Sequence, residues 1–529
     1  PGRFADALER SPRNATALRR AVATTDRTAF LDRCGAMFFA DPHTADGGHA
    51  EGEVAESGTS SGSDVGANAS VPLEQTFTLA SRPGAARTIW LDFRGGTVTD
   101  TSWNASYGSP ITARPFSITA PASTAFSAAE LREIQRAWQV VAEDYAPFDV
   151  NVTLADPGIA AIDRSSSHDR AYGTRVIVTG GGPIYTKCSC GGVAYVDVFN
   201  DYGTSHMWFQ PAWVFSAGTG TSGKSIGEAA SHEAGHNFGL SHDGTRTSGY
   251  YRGSEPWAPI LGAAYSQPVS QFSRGEYAGA STSQDDLAVV ATGAPLRSDD
   301  HGNTVATATR LDPTLQADGV VTTRGDVDAF TFTGEGQTTV AVTPAAGLPN
   351  LDVELTVVDA AGSTIARVDP PAARVSSSSA SGLGATWSTA LPAGEASYTL
   401  LVDGVGTGDP RTAGRYSDYG SLGNYRVTVS TGAAVTDQPL AFTTSSRLPN
   451  ARKRRWYDVR ISTTDGVPDY AWQRVSGSLP RGLRLVDTDR RFVRIAGRPT
   501  ARGWFRFTMV VRDADGESER RAFRLRVRR

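Results

Sequence analysis

One short stretch, residues 231–244 with the sequence SHEAGHNFGLSHDG, constrains the fold of this chain more than any other. His232 and His236 are four residues apart, so on a helix their imidazoles project from one face and can ligate the same ion. Gly239 lets the backbone leave that helix through a conformation that other residues disfavour. The turn that follows can bring His242 to the same ion. Three imidazoles leave a fourth coordination position open, which distinguishes a catalytic zinc site from a closed structural one.

Glu233 lies next to the first histidine, where it can handle a metal-bound water molecule without ligating the metal. Zinc lowers the pKa of a bound water from roughly 15.7 to about 7, which makes a nucleophile available at neutral pH. In that chemistry Glu233 accepts the proton of the water as it attacks the scissile carbonyl, and then delivers it to the departing amine. We therefore expect a zinc metalloendopeptidase, a hydrolase that acts on polypeptide substrates.

Two other functions remain open at this point. In the first, the zinc domain is vestigial and the chain is a non-catalytic surface-binding or adhesion protein. In the second, the site hydrolyses a non-peptide amide. The intact Glu233 favours an enzyme over an adhesion protein, because a binding protein has no need of a base beside the metal.

The length of 529 residues exceeds what one hydrophobic core usually supports, so we expect several domains. No stretch approaches the run of roughly 18 apolar residues that a membrane helix needs, and we expect no membrane span. The sequence begins at Pro1 without an initiator Met or a signal peptide, and the absence of a leader from this numbering carries no information about export. We expect a secreted, extracellular protein.

The N-terminal part differs in composition from the rest. Residues 1–44 are predicted to hold short helical pieces, at 4–8 and 15–22, and to end in the run 34–41. Residues 45–70 are rich in Gly, Ser, Ala and acidic residues, and they cannot bury enough surface to offset their ordering entropy. We predict that residues 1–75 are a prosegment with an acidic Gly/Ser linker that is exposed to cleavage.

Residues 76–298 are predicted to form an α/β domain. Ser127 and Glu130 form the capping-box pattern of an amphipathic helix that ends before Pro147, and a second helix begins near Ser225. Alternating or continuous apolar runs predict strands, at 86–96, 149–155, 174–180 and 191–199. Strands that alternate with helices in this way indicate an α/β layer.

The remaining residues, 299–432 and 437–529, hold short alternating strands and predict two small β-sandwiches. The predicted fold class is therefore multidomain, with an α/β catalytic domain followed by two all-β sandwich domains. Residues 437–529 contain 22 Lys and Arg against 10 Asp and Glu. A basic module favours a cell wall or another anionic surface as partner, with a merely solvated Arg-rich surface as the alternative. Nucleic acid is the less expected partner.

Residues 232–243, HEAGHNFGLSHD, closely resemble the extended zinc motif of the metzincin metallopeptidases, and Asp243 is similar to its counterpart in the adamalysin/reprolysin branch. The resemblance covers roughly residues 76–245 and implies a metzincin-like fold there. In that fold residues 191–199 form the edge strand along which an extended substrate lies, and an ordinary covered strand is the alternative. The resemblance also implies the site residues, which are the zinc ligands His232, His236 and His242 and the base Glu233.

Two positions after the motif are compared with the same family. Metzincins place a methionine beneath the zinc site in a tight turn, and Leu261 stands where that methionine aligns, in an intact turn over residues 259–262. Leu fills a similar volume and the methionine does not ligate zinc, so we expect activity to survive. Tyr265 is a candidate transition-state hydrogen-bond donor, with a core or rim position as the alternative.

The three cysteines are assigned separately. Arg33-Cys34-Gly35 resembles the cysteine switch of matrix metalloproteinase prosegments, which implies that the Cys34 thiolate fills the open zinc position in a latent zymogen. A buried structural cysteine is the alternative. Cys188 and Cys190 have no matching pair elsewhere, so we expect a local disulfide or two free thiols.

The two predicted β modules also resemble known ones. Residues 299–303 and 325–332 are similar to the pre-peptidase C-terminal domain found after secreted bacterial peptidases, and residues 437–529 resemble Ig-like modules of bacterial secreted and surface proteins. Asp326 and Asp328 are candidates for binding Ca²⁺, with turn chemistry as the alternative. Both modules are expected to serve attachment or folding.

Overall fold

A computed structural model describes most of the chain, and all statements below concern its described residues. They are residue 19 and the ranges 26–33, 35–42, 71–119, 125–311, 315–431, 440–464, 470–486, 492–513 and 516–529; the side chains of 393–395 are not described. Cys34, the linker at 45–70 and the predicted helical piece at 4–8 lie outside the described residues, as does most of the piece at 15–22.

The α/β part of the chain contains strands and helices in mixed order. Its strands are β1 Ala29–Leu31, β2 Met37–Pro42, β3 Arg87–Asp92, β4 Gly96–Val98, β5 Ile111–Ala113, β6 Val150–Thr153, β7 Tyr172–Thr179, β8 Cys190–Tyr195, β9 Ala212–Phe215, β10 Trp257–Pro259 and β11 Val269–Gln271. Its helices are α1 Ser102–Tyr107, α2 Ala128–Asp144, α3 Pro183–Cys188, α4 Thr204–Trp208, α5 Ser216–Thr219, α6 Gly223–Phe238 and α7 Asp286–Gly293.

Seven of these strands form one sheet in the order β1-β2-β8-β9-β7-β3-β6. Strands β9, β7, β3 and β6 are parallel to one another, whereas β8 is antiparallel to β9. Because side chains alternate along a strand, Val176 and Val178 enter the core beneath the helices while Ile177 enters a second core on the opposite face.

Strand β8 is covered on its outer side. The sequence predicts an edge strand at this position, but β2 pairs with β8 along its length, in antiparallel orientation. Strand β2 occupies most of the run 34–41 that closes the N-terminal part, so it does not test the helical pieces predicted at 4–8 and 15–22. Met37, Phe38 and Phe39 are all buried, and Pro42 ends the pairing.

Two helices carry the features that position the site. Helix α2 begins with the predicted capping box, in which the Ser127 side chain accepts from the Glu130 amide and the Glu130 carboxylate accepts from the Ser127 amide. Helix α6 packs against α2 at Gly227, where an added Cβ would lie 2.6 Å from Cβ of Val140. Glycine at this position therefore sets how closely the two helices approach each other.

The rest of the described chain is all-β. A seven-stranded sheet with the order β13-β20-β14-β19-β15-β16, and with β12 on β14, surrounds its own apolar core. Its strands are β12 Thr309–Arg310, β13 Gln316–Val321, β14 Val327–Pro344, β15 Val353–Val358, β16 Thr364–Val368, β19 Ala385–Gly404 and β20 Gly423–Thr431, with a hairpin of β17 Ala373–Ser376 and β18 Ser379–Ser381 beside them.

Two further four-stranded sheets, β21-β23-β26-β25 and β22-β28-β27-β24, enclose an apolar core of their own. Their strands are β21 Ala441–Phe442, β22 Ala451–Arg452, β23 Tyr457–Thr464, β24 Ala471–Gly477, β25 Leu483–Val486, β26 Phe492–Gly497, β27 Gly503–Arg512 and β28 Ser518–Arg528. The described residues thus contain an α/β part followed by two β-rich parts with separate cores.

Buried carboxylates join the end of α2 to the first β-rich part. Asp144 accepts a hydrogen bond from the Ser231 hydroxyl of α6 and another, at 2.8 Å, from the Asn350 side chain. Glu143 accepts from the backbone amide and the side chain of Asn424 at 3.1 and 2.7 Å. A residue next to the first motif histidine is therefore connected through two hydrogen bonds to the β-rich part.

Glu143 makes stability depend on pH. Burial raises its pKa from 4.5 to about 7, against the lowering effect of the hydrogen bonds from Asn424. Between these two pKa values the folded chain keeps a proton on Glu143 that the unfolded chain has released. The stabilisation by the neutral carboxyl is therefore complete below the pKa of Glu143 in the unfolded chain, and it is lost as pH rises through the pKa in the folded chain. Between pH 5 and pH 7 we expect the free energy of unfolding of the wild-type chain to fall by about 2 kcal/mol more than that of Glu143→Gln.

Urea-unfolding free energies of the two chains at both pH values measure this difference. Glu74→Gln, which changes an exposed carboxylate, is the control and should follow the wild type. Parallel stability curves for the wild type and Glu143→Gln would contradict the assignment.

Candidate metal centre

The three motif histidines meet because of how α6 begins and ends. Ser222 caps the helix by accepting from the Ser225 amide, and the residues from Gly223 to Phe238 then form four turns. Gly239 ends it with φ of 111°, and its amide donates to the carbonyls of Gly235 and His236. The left-handed residue reverses the chain as predicted and brings His242 back to the helix.

Each imidazole is oriented by a hydrogen bond at Nδ1. Nδ1 of His232 lies 2.8 Å from the Ile260 carbonyl, and Nδ1 of His236 lies 2.8 Å from the Leu240 carbonyl. A carbonyl oxygen can only accept, so the proton is at Nδ1 and the lone pair is at Nε2 in both rings. Histidines that bind a metal usually donate such a hydrogen bond from the ring nitrogen that does not face the metal.

The Nε2 atoms converge on one point. Nε2 of His236 and Nε2 of His242 are 3.1 Å apart, close to the roughly 3.4 Å expected between two nitrogens of a tetrahedral zinc ion. Nε2 of His232, Oδ2 of Asp41 and Oε2 of Glu233 are buried atoms without a hydrogen-bond partner. His232, His236, His242 and Asp41 also form a group of ligand atoms that lie within 4.8 Å of one another. The residues present therefore fit a divalent transition metal.

The electrostatics of the group favour a cation. Burial lowers the pKa of His232 to about 3, so this imidazole is neutral, as a metal ligand must be. Burial also lowers the pKa of His242, but the charge of Asp41 and a hydrogen bond with Asp26 outweigh it and raise that pKa to about 9. His242 thus lies between two carboxylates, in a potential that attracts positive charge.

Glu233 is held against strand β8. An added Cβ on Gly192 would lie 2.0 Å from Oε1 of Glu233, so the base fits only because this strand position is glycine. Burial, and then the charge of Asp41, raise the pKa of the Glu233 carboxyl well above its usual value. The predicted base therefore shares the buried site with the three imidazoles.

Asp41 lies in the same site although the sequence analysis does not select it. Its Oδ1 is 2.8 Å from Nε2 of His242, and its Oδ2 is 3.5 and 3.6 Å from Nε2 of His236 and His232. Burial alone would raise the pKa of Asp41, but the charges of His242 and His232 hold it well below the usual range. The one sequence signal is its position as an acidic residue directly after the apolar run Met37-Phe38-Phe39-Ala40.

Tyr250 is a second site residue that the sequence analysis misses. Its hydroxyl contacts the Asp41 carboxylate and lies 3.2 Å from Nε2 of His242, and its ring packs on the His242 ring at 4.4 Å. The predicted donor Tyr265 packs against the main core, and burial together with the charges of Asp41 and Glu233 raises its pKa. Its role as a donor stays a prediction.

The turn beneath the site is formed by a backbone bond from the Gly262 amide to the Pro259 carbonyl at 3.0 Å. Leu261 is fully buried, and its methyl carbons would lie 3.4 to 3.5 Å from a Cβ on Gly235. Leucine thus fills the volume below α6, and its carbonyl accepts from the Asp243 amide at 2.8 Å.

The cysteines are placed as follows. Cys188 and Cys190 form a disulfide, which is the first of the two expected alternatives. It joins the end of α3 to the start of β8. Cys34 lies outside the described residues, and its role as an inhibitory ligand stays a prediction.

A second carboxylate group lies in the first β-rich part. Asp299, Asp300 and Asp328 offer oxygens that lie within 4.8 Å of one another. The Tyr425 hydroxyl donates to Asp328, and the Thr322 amide and hydroxyl donate to Asp326. The bonds from Thr322, four residues before Asp326, favour the turn interpretation for Asp326, whereas Asp328 is bound by a residue of β20, and Ca²⁺ binding there stays a prediction.

Comparison with known proteins identifies the part of the chain that contains the histidines. Residues 133–243 match the family model described as Metallo-peptidase family M12B Reprolysin-like. The match contains the four motif residues and ends one residue after the last of them. It supports a zinc-dependent peptidase, and no curated protein matches the chain.

Solved structures share shorter segments with the chain. The pre-peptidase C-terminal domain of collagenase from Bacillus anthracis is 14% identical over 24% of this chain and 100% of that chain, with a TM-score of 0.16. Murine CRIg is 15% identical over 17% and 100%, with a TM-score of 0.14. The chain spans only 19% and 25% of two of the longer matched chains. TM-scores this low do not establish a shared fold.

Gly192→Ala tests the placement of the base. The added methyl group must push the Glu233 carboxylate out of position, and a displacement of about 1 Å can cost about 100-fold in rate. We expect the zinc content of the processed chain to stay unchanged while kcat for a peptide substrate falls by about that factor.

Gly191→Ala is the matched control, because its Cβ would face Pro42 and Thr219 at 3.3 Å and would not face Glu233. Metal analysis and peptide hydrolysis of the two variants are compared. Equal losses in both would show that the strand, rather than the base, is disturbed.

Proposed function

We propose that this chain is a secreted zinc-dependent endopeptidase of the metzincin type that is made as a latent precursor. The observation that carries the proposal is the convergence of three Nε2 atoms beside a buried Glu233 carboxylate on the same helix. The reprolysin-like match over residues 133–243 supports the same conclusion, because zinc peptidases define that family. No helix in the described ranges is long and apolar enough to cross a membrane.

His232, His236 and His242 would hold the zinc ion. When bound, zinc supplies acidification of a water molecule and polarisation of the scissile carbonyl. Glu233 lies beside the histidines on the same helix, where it would accept the proton of the attacking water and return it to the leaving amine. Strand β8 would bind the peptide main chain through the hydrogen bonds of a sheet edge.

Tyr250 is the better candidate for the donor that stabilises the transition state. Its hydroxyl already contacts a carboxylate oxygen beside the histidines, which is where an oxyanion would develop charge. No hydrogen bond of this kind connects Tyr265 to the described residues of the site. In this mechanism Tyr250 donates to the oxyanion, and Leu261 serves packing alone.

The basic third part of the chain is proposed to bind an anionic surface such as a cell wall. Trp504 is 51% exposed, and the guanidinium groups of Arg447 and Arg526 lie 5.9 and 5.4 Å from its ring centroid. On the same face of this sheet, Arg524 lies opposite Arg506 across β27 and β28. A flat aromatic ring flanked by cations suits an anionic polysaccharide better than a merely soluble surface.

Glu233→Ala is the test of the peptidase mechanism. Glu233 does not ligate the ion, so the variant should keep near-stoichiometric zinc, while peptide hydrolysis should fall by about 100-fold to 10,000-fold because the base is lost. Zinc analysis and cleavage of a peptide library are measured on the chain after removal of residues 1–75, with and without a chelator. Normal cleavage by the variant, or cleavage by the wild type that a chelator does not affect, would contradict the proposal.

Tyr250→Phe and Tyr265→Phe, measured side by side, identify the donor. Loss of one oxyanion donor costs about 100-fold to 1,000-fold in kcat with the metal retained, so we expect this loss in Tyr250→Phe alone. The processed chain is assayed for kcat and KM with one peptide substrate. A loss confined to Tyr265→Phe would instead support the prediction made from the sequence.

A further inference from the structure

We propose that strand β2 is an internal inhibitor of the site and that the Asp41 carboxylate is the group that closes the fourth coordination position. The inference rests on the proposed zinc peptidase function. It assigns the latent state to an aspartate and to a paired strand, both within residues 26–42, rather than to the Cys34 thiolate.

The first support is the pairing of β2 with the strand that a substrate would use. Residues 38–41 pair antiparallel with residues 192–195, and Asp41 is directly opposite Gly192. Extended peptides bind exposed sheet edges through the same main-chain hydrogen bonds. With β2 in place, residues 192–195 of β8 are already paired, so a second peptide cannot pair with the same stretch of this strand.

The second support is the position of the Asp41 carboxylate. It is only 5% exposed, and it faces all three imidazoles at 2.8 to 3.6 Å. A buried carboxylate requires a compensating positive charge or hydrogen bonds. The Tyr250 hydroxyl donates to one oxygen, while the other oxygen has no hydrogen-bond partner. A carboxylate oxygen is a common fourth zinc ligand, and one placed here leaves no room for the catalytic water.

The third support is a second contact made by the start of the same segment. Oδ2 of Asp26 lies 2.7 Å from Nδ1 of His242, and Oδ1 of Asp26 accepts from the amide and hydroxyl of Thr28. The Ala40 amide donates to the Thr28 carbonyl, which ties this turn to β2. One imidazole is therefore held between two carboxylates of the segment, with Asp41 at Nε2 and Asp26 at Nδ1.

The residues on either side of Cys34 are fixed at the opposite end of β2. The amides of Gly35 and Ala36 donate to Asp32, and Asp32 also accepts from the Ser102 hydroxyl at 2.6 Å. Ala36 and Asp41 are five residues apart, which is about 16 Å along an extended strand. A carboxylate and a thiolate cannot both occupy the single open position, so one experiment distinguishes them.

The experiment uses the full chain with Co²⁺ in place of zinc and acetohydroxamate as a probe of the open metal position. Metal content and the visible cobalt spectrum are recorded for the wild type, Asp41→Asn and Cys34→Ser. We expect all three to bind one Co²⁺, and only Asp41→Asn to change its spectrum at low acetohydroxamate. Because an occluded site binds in proportion to its open fraction, the probe should bind this variant at least about tenfold more tightly.

Asp41→Glu and Asp26→Asn are further variants should Asp41→Asn not fold. Asp41→Glu retains a carboxylate and should restore exclusion of the probe, at least in part. Asp26→Asn removes the negative charge beside Nδ1 of His242 and should speed the loss of Co²⁺ to a chelator, because such outer partners are worth about 10-fold to 100-fold in metal affinity.

The possible failures are distinct. Equal probe binding by the wild type and Asp41→Asn, with one Co²⁺ bound to each, overturns the aspartate assignment and leaves the peptidase proposal intact. Probe binding that appears only in Cys34→Ser, or thiolate-to-cobalt charge transfer in the wild type, overturns it in favour of the cysteine. Absence of bound Co²⁺ in every variant overturns both proposals.

Discussion

The geometry of the site depends on two hydrogen bonds in which an imidazole Nδ1–H donates to a backbone carbonyl. The carbonyls of Ile260 and Leu240 fix the tautomer and the rotation of His232 and His236, so that both lone pairs point to one place. Ile260 lies in the turn that also contains Leu261. That turn therefore contributes a backbone oxygen to the site, and its central side chain contributes volume. Because the side chain contributes only volume, a leucine can serve at this position as well as another apolar residue of similar size.

The features that the sequence predicts correctly are local ones. The capping box of α2, the spacing of the histidines on α6 and the glycine that ends this helix act over a few residues, and the structure contains each of them. The pairing of β2 with β8 joins residues about 150 apart, and no local pattern encodes such a pairing. Asp41 was missed for this reason, since its role exists only once β2 lies on the sheet. Tyr250 was missed because no motif sets its distance from His242.

The boundary near residue 298 also shows what composition can and cannot indicate. The change to short alternating strands predicts a new unit, and the structure has a separate apolar core there. The polar contacts across the boundary have no such signal, because Asn350 and Asn424 are individually ordinary residues in the sequence. Yet Asn350 donates to Asp144, which also accepts from Ser231, the residue next to His232. The first β-rich part therefore helps to hold helix α6 in place through this chain of hydrogen bonds.

A strand that inhibits through both pairing and a carboxylate has a consequence for activation. Cleavage between residues 43 and 70 would break the covalent connection but none of the hydrogen bonds between β2 and β8, and the buried Met37 and Phe39 would stay in place. Cleavage instead lowers the entropic cost of releasing β2 from β8. Before cleavage the tether keeps β2 at a high effective concentration, and after cleavage the peptide that contains β2 can diffuse away. A substrate then competes for β8 with a released peptide at its bulk concentration. Under this proposal, latency would depend on the tether together with the strand, and the Asp41 carboxylate would determine how tightly the released strand still binds.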